Sequence, residues 1–105
     1  MKICNIMDFK EADTVAHMLL DQKAGTKLLI VGLHVLPPGG EIRPHTHPDQ
    51  ELAYIILNGK ALVTVGDEQA EVGKYDVVWI PIKTNHGSKN IGEGELRYIF
   101  VGWAV

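Results

Sequence analysis

Two stretches of the chain carry side chains that bind transition metals. The first is His45-Thr46-His47-Pro48-Asp49-Gln50-Glu51, and the second is Pro81-Ile82-Lys83-Thr84-Asn85-His86. Along an extended strand alternate side chains share a face, so His45 and His47 project the same way. Glu51 has the same parity and rejoins them if the bend at Pro48-Asp49 is modest. Two imidazoles and a carboxylate aimed at one point suit a divalent transition ion, and His86 offers a third imidazole just past a strand end. Iron, manganese, nickel, zinc and copper all accept such donors, so these residues leave the metal's identity open. A lone histidine is more often a surface or satisfied core group, and on that ground His17 and His34 are read as non-ligands.

Residues so far apart in the chain need a framework to bring them together. The 105 residues suffice for one ordinary domain. A hydrophobic fraction of 46% excludes a disordered chain. The net charge of −3 leaves no basic surplus for phosphates, which argues against nucleic acid as a partner. The longest apolar run, Leu28 to Leu36, is broken by Gly32 and His34 and is too short to span a bilayer. Cys4, the single cysteine, has no internal disulfide partner. With Asp8, Lys10 and Glu11 where a secretory signal would need an apolar core, it points to a reducing, cytoplasmic setting.

Past residue 25 the punctuation is that of an all-β chain. Leu52–Leu57 and Ala61–Val65 flank Asn58-Gly59, which suits a type I′ hairpin turn. Gly66-Asp67 starts a turn back along Gln69–Val72, and Pro81 ends the run Asp76–Ile80. Pro37-Pro38-Gly39-Gly40 stops the strand Lys27–Leu36, and Gly92-Glu93-Gly94 precedes the final run Leu96–Trp103. Roughly six to nine short strands in such a chain predict a sandwich or small barrel. Before residue 27 the pattern is mixed. Asp8 and Glu11 resemble a helix cap, with Phe9, Ala12, Val15, Ala16 and Leu19 at helical spacing, whereas Val15–Leu20 leading to Lys27–Leu36 also reads as a β-hairpin. The expectation is a short helical start and then a strand, with residues 1–26 packing on a barrel formed by 27–105.

These residues resemble the cupin family. Its first motif runs Gly, five residues, His-x-His, three or four residues, Glu, six residues, Gly; here Gly39, His45, His47, Glu51 and Gly59 match, with seven residues in the last gap. The extra residue suggests a β-bulge. In the second motif Pro81, His86 and Asn90 match in spacing, while Lys83 and Tyr75 stand at glycine positions. The Lys83 departure puts the usual geometry of the 81–85 loop in question. The resemblance spans residues 27 to 103 and implies a double-stranded antiparallel β-barrel (a jelly roll) with a metal inside one mouth. It also implies a homodimer associating through sheets, for which the apolar residues on both faces of Leu28–Leu36 offer surface; the alternative is that the N-terminal segment covers the second face.

Three neutral imidazoles and one carboxylate leave a divalent ion with a net charge near +1. A six-coordinate ion keeps two positions for water, oxygen or substrate, as catalytic sites do. The expectation is therefore a metal-dependent enzyme acting on a small oxygenated molecule, of dioxygenase, isomerase, cyclase or lyase type. The alternative is a non-catalytic module holding a sugar or an organic acid. A catalytic proton would come from metal-bound water or from Glu51. Tyr54, Trp79, Tyr98 and Phe100 are candidates to line a pocket, with core packing the favoured reading. Arg43 is a candidate anion contact but reads more simply as a solvated charge.

Overall fold

A computed structural model describes Ile3, Asn5 and residues 16–104. Nine strands follow one another among the described residues: β1 (Ala16–Leu20), β2 (Leu29–Leu36), β3 (Glu41–His45), β4 (Gln50–Asn58), β5 (Ala61–Val65), β6 (Glu68–Val72), β7 (Val77–Ile80), β8 (His86–Asn90) and β9 (Leu96–Ala104). They form two antiparallel sheets, ordered β1-β2-β9-β4-β7 and β3-β8-β5-β6. This is the expected all-β double-stranded barrel. No helix among the described residues is long and apolar enough to cross a membrane.

Alternation within the strands decides what fills the barrel. Leu52, Tyr54 and Ile56 of β4 are buried, while Glu51 between β4's first residues is exposed. Ile30 and Leu36 of β2 join them, with Leu96, Tyr98 and Phe100 of β9 and Ala61 and Val63 of β5, to make one core. Leu33 and Val35 point to the other face of β2 and are fully buried within the chain itself. Leu33 and Val35 are thus covered, while Leu28 just before β2 is exposed and Leu29 and Val31 are half-buried. The exposed apolar groups of this sheet are Met18 on β1, Val77 and Trp79 on β7, and Trp103 on β9.

Two local expectations are corrected. Asn58-Gly59 does not close a hairpin, because β4 pairs with β7 and β9 whereas β5 pairs with β6 and β8. The chain instead turns a corner between sheets. Gly59 sits there at φ +90°, and a Cβ would lie 2.7 Å from the Glu95 carbonyl oxygen. The irregularity in β4 does fall where the motif has its extra residue, between Ile56 and Asn58. Gly66-Asp67 is the true hairpin turn, joining Val65 to its register partner Glu68. The second correction concerns the helical start. Ala16 and Leu19, assigned to it, lie in β1, which pairs antiparallel with β2. Pairing with an existing sheet edge outweighs a short helical periodicity. The earlier part of that expectation, Asp8 to Val15, lies outside the described residues. The only helical turn in the described residues is a 3-10 turn at Gln22–Ala24, capped by the Asp21 side chain and ended by Gly25 at φ +107°.

Candidate metal centre

His45 is the last residue of β3, His47 follows in the connection to β4, and His86 opens β8. β3 and β8 are neighbours in the sheet, and His45 and His86 are register partners. Strand pairing alone thus brings the two sequence clusters together. The loop before β8 is tied to the first cluster as well, since the Lys83 N–H donates to the His47 carbonyl at 3.3 Å. Ring centroids lie 4.7 Å apart for His45 and His47, 4.5 Å for His45 and His86, and 5.3 Å for His47 and His86. One nitrogen from each of the three falls within 4.8 Å of the others. Nitrogens sharing one ion at bonds of about 2.1 Å sit roughly 3–3.5 Å apart, so the group can close on a single ion.

Backbone carbonyls set the tautomers. His45 Nδ1 lies 2.8 Å from the Arg43 carbonyl oxygen, and His86 Nδ1 lies 2.8 Å from that of Thr84. A carbonyl only accepts, so in each ring Nδ1 carries the proton and Nε2 keeps its lone pair. The Nε2 of His86 is buried and has no hydrogen-bond partner among the described residues. An orphaned buried acceptor is costly unless something binds it, and an ion held by the three rings would satisfy it. Burial lowers the pKa of His86, opposed by its Thr84 bond and aided by the charges of His45 and His47. Burial also lowers that of His47, with His45 acting the same way and Asp49 against. Neutral imidazole, the form that binds metals, is favoured in both.

The histidines open onto a cavity of about 640 Å³, whose wall includes Ile30, His34, Gln50, Leu52, Tyr54 and Phe100. The mouth carries Lys23 together with Asp21 and Asp49, so its charge is mixed. Of the aromatic candidates, Tyr54 and Phe100 line the cavity. Tyr98 is fully buried behind them, 4.7 Å from the Tyr54 ring and hydrogen-bonded to Ser88. Burial pushes both tyrosine hydroxyls above their ordinary range, so neither ionises at neutral pH.

Glu51 is not brought to the three histidines. Its neighbours Leu52 and Tyr54 show that β4 turns even-numbered side chains inward, which sends Glu51 to the outer face. There it accepts a hydrogen bond from the Trp79 indole. The bend at Pro48-Asp49 does not preserve the parity shared with His45 and His47, and sequence spacing could not show that. Trp79 accordingly lines no part of this cavity. Arg43 is exposed, its guanidinium 4.0 Å from Glu41, and contributes its carbonyl to His45 rather than its charge to the site. His17 and His34 fall outside the three-histidine group. The wall position of His34 went unread in the sequence, although its alternation with Ile30 and Leu36 along β2 carries that signal.

Comparison with known proteins agrees with this architecture. The cupin domain family matches residues 32–102, and the chain belongs to that family. An uncharacterised protein of Methanocaldococcus jannaschii, MJ1618, is 38% identical over 65 residues, covering 62% of this chain and 52% of the relative. The dimethylsulfoniopropionate lyase DddW of Ruegeria pomeroyi is 30% identical over 78 residues, 74% of this chain and 50% of the lyase. The chain spans about half the length of these relatives. Among solved structures, TT1209 from Thermus thermophilus superposes with a TM-score of 0.87 at 20% identity, covering 99% of this chain and 98% of the other.

Proposed function

We propose that this cupin is a metal-dependent enzyme acting on a small oxygenated molecule, with His45, His47 and His86 holding a divalent transition ion. The observation that carries the reading is the convergence of three imidazoles, one with a buried unpartnered Nε2, at the wall of a 640 Å³ cavity. Three protein imidazoles leave coordination positions free, as catalytic sites require and closed structural sites do not. A bound ion would supply Lewis acidity or a site for dioxygen. The residues of the chain orient and exclude: the Arg43 and Thr84 carbonyls fix two rings, and Leu52, Tyr54 and Phe100 keep the cavity wall largely apolar. Glu51, exposed and hydrogen-bonded to the Trp79 indole, is given no proton-transfer role in this reading, which leaves that role to metal-bound water. The name of the lyase relative supports a lyase-type reaction on this framework, and a three-imidazole ion accommodates isomerase, cyclase or dioxygenase types as well.

Iron under air, and iron, manganese, nickel or zinc without oxygen, separate the reaction classes when the loaded protein is screened against hydroxy-, keto- and catechol-type compounds. Turnover lost in His47→Ala supports the enzyme. Tight ligand binding with no turnover under any metal selects the binding module instead. The setting we assign is the cytoplasm, on the single cysteine. The homodimer we assign buries the outer face carrying Trp79 and Trp103, and a monomer mass by light scattering at micromolar concentration would reject it.

A further inference from the structure

We propose that Gln50, and not Glu51, supplies the fourth protein donor at the metal centre. The inference rests on the three-histidine reading above and concerns which residue of β4 completes it. Gln50 is the first residue of β4 and is held by its pairing with Ala104 of β9. It shares parity with Leu52, Tyr54 and Ile56, all of which point into the barrel. Gln50 is half-buried and lines the same cavity as His45, His47 and His86, whereas Glu51 is exposed and absent from that wall. The Glu51 carboxylate is already engaged at 2.8 Å by Trp79. Asp49 also reaches the cavity mouth, but it is exposed, precedes the strand, and stands outside the group of donors that converge. The carboxamide oxygen of Gln50 is the atom able to bind a cation, since the lone pair of the nitrogen is delocalised into the carbonyl and its N–H groups only donate hydrogen bonds.

The exchange of a carboxylate for a carboxamide alters the charge of the centre. Three neutral imidazoles and a neutral carboxamide leave a divalent ion with its full +2, where a carboxylate would leave +1. In a half-buried cavity that difference favours a small anionic ligand, such as a carboxylate, at the free positions.

Cobalt(II) titration of the metal-free protein tests this, read by visible absorption and by competition with a chelator. Gln50→Ala should weaken cobalt binding about 10- to 100-fold, the scale on which supporting groups at metal sites act. Gln50→Glu should bind cobalt more tightly than the parent, yet the loaded variant should bind acetate more weakly. Glu51→Gln should leave cobalt affinity unchanged, and Asp49→Asn, which removes a charge from the cavity mouth without removing a donor, should lower it less than Gln50→Ala does. Parent-like affinity in Gln50→Ala overturns the proposal, and so does a loss confined to Glu51→Gln or Asp49→Asn. Parent-like affinity in His47→Ala removes the three-histidine reading itself, a result distinct from failure at Gln50 alone. Circular dichroism of each variant confirms that the barrel is intact.

Discussion

The indole N–H of Trp79 on β7 donates to the Glu51 carboxylate of β4 at 2.8 Å, on the face of the sheet opposite the three histidines. Trp79 is the register partner of Ala53, so Glu51 is its diagonal neighbour, the geometry in which long side chains meet across antiparallel strands. In the single chain the contact is exposed and braces the outer surface of the sheet, so its loss is read on the unfolding of the chain rather than on its association. Glu51→Ala should therefore cost only about 0.5–1.5 kcal/mol in urea unfolding. Metal content by elemental analysis should match the parent. A stoichiometric loss of metal in this variant would contradict the outward placement.

Lys83 occupies a motif glycine position and takes the left-handed conformation itself, at φ +60°. Tyr75, at the other such position, does the same at φ +75°. The loop geometry survives because backbone bonds hold it: the Tyr75 N–H donates to the Ile56 carbonyl at 2.8 Å and the Lys83 N–H to that of His47. A side chain in this region costs about 1–2 kcal/mol, partly offset by the greater freedom glycine has when unfolded. Lys83→Gly should stabilise the protein by about 0.5–1 kcal/mol and raise its melting temperature by several degrees. Tyr75→Gly should gain less, because the Tyr75 ring also receives Lys74, whose Nζ lies 5.1 Å from its centroid. A lower melting temperature in Lys83→Gly would show that its side chain is needed where it stands.

Much of the site was legible in the chain, and the rest depended on geometry beyond local spacing. The spacing of His45 and His47 and the later His86 identified the three imidazoles, because β pairing and alternation are local rules. Glu51, counted with them by parity from His47, lies on the outer face because that parity does not carry through the Pro48-Asp49 bend. The side chains to count from were those that followed, Leu52 and Tyr54, whose alternation fixes the inward face of β4. Asn58-Gly59 has hairpin chemistry, yet sheet membership is decided by long-range pairing that no dipeptide encodes. In β1, likewise, the neighbouring β2 settled an ambiguity that the local periodicity left open.

Asn90 shows what the last motif position does. It is 1% exposed, and its amide nitrogen donates to the Leu36 carbonyl at 3.0 Å and the Gly94 carbonyl at 2.8 Å. Its amide oxygen accepts from the Gly92 N–H at 2.9 Å. One side chain thus ties the end of β2 to the β8–β9 connection. Asn90→Ala strands these backbone groups away from water and should cost about 2–4 kcal/mol. Asn90→Asp places an acceptor against two carbonyls and should be no better. Urea unfolding at unchanged m-value is the measurement, and a cost below that of Glu51→Ala would refute the role.

His34 should make the metal-free protein sensitive to mild acid. Its ring lies 4.9 Å from those of both Tyr98 and Phe100, and only 9% of the residue is exposed. Burial is the main cause that holds its pKa down to about 4 from the ordinary 6.5, with the charges of His45, His17 and His86 acting the same way. The unfolded chain takes up a proton on this ring near pH 6.5, while the folded chain resists until about pH 4. Between those values the unfolded state binds more protons, so stability falls as pH drops. The contribution is fully present above about pH 6.5 and is lost on the way to pH 4, by up to about 3 kcal/mol. His47 and His86 are also held down by burial and add to the slope in the same direction. Urea unfolding of the metal-free protein at pH 7.5, 6 and 5 reads the effect, and His34→Gln, which does not titrate, should flatten the curve. An unchanged slope in His34→Gln would assign the acid sensitivity to the other histidines. With an ion bound, protons must also displace it from His45, His47 and His86, so the loaded protein should lose stability more steeply through the same range.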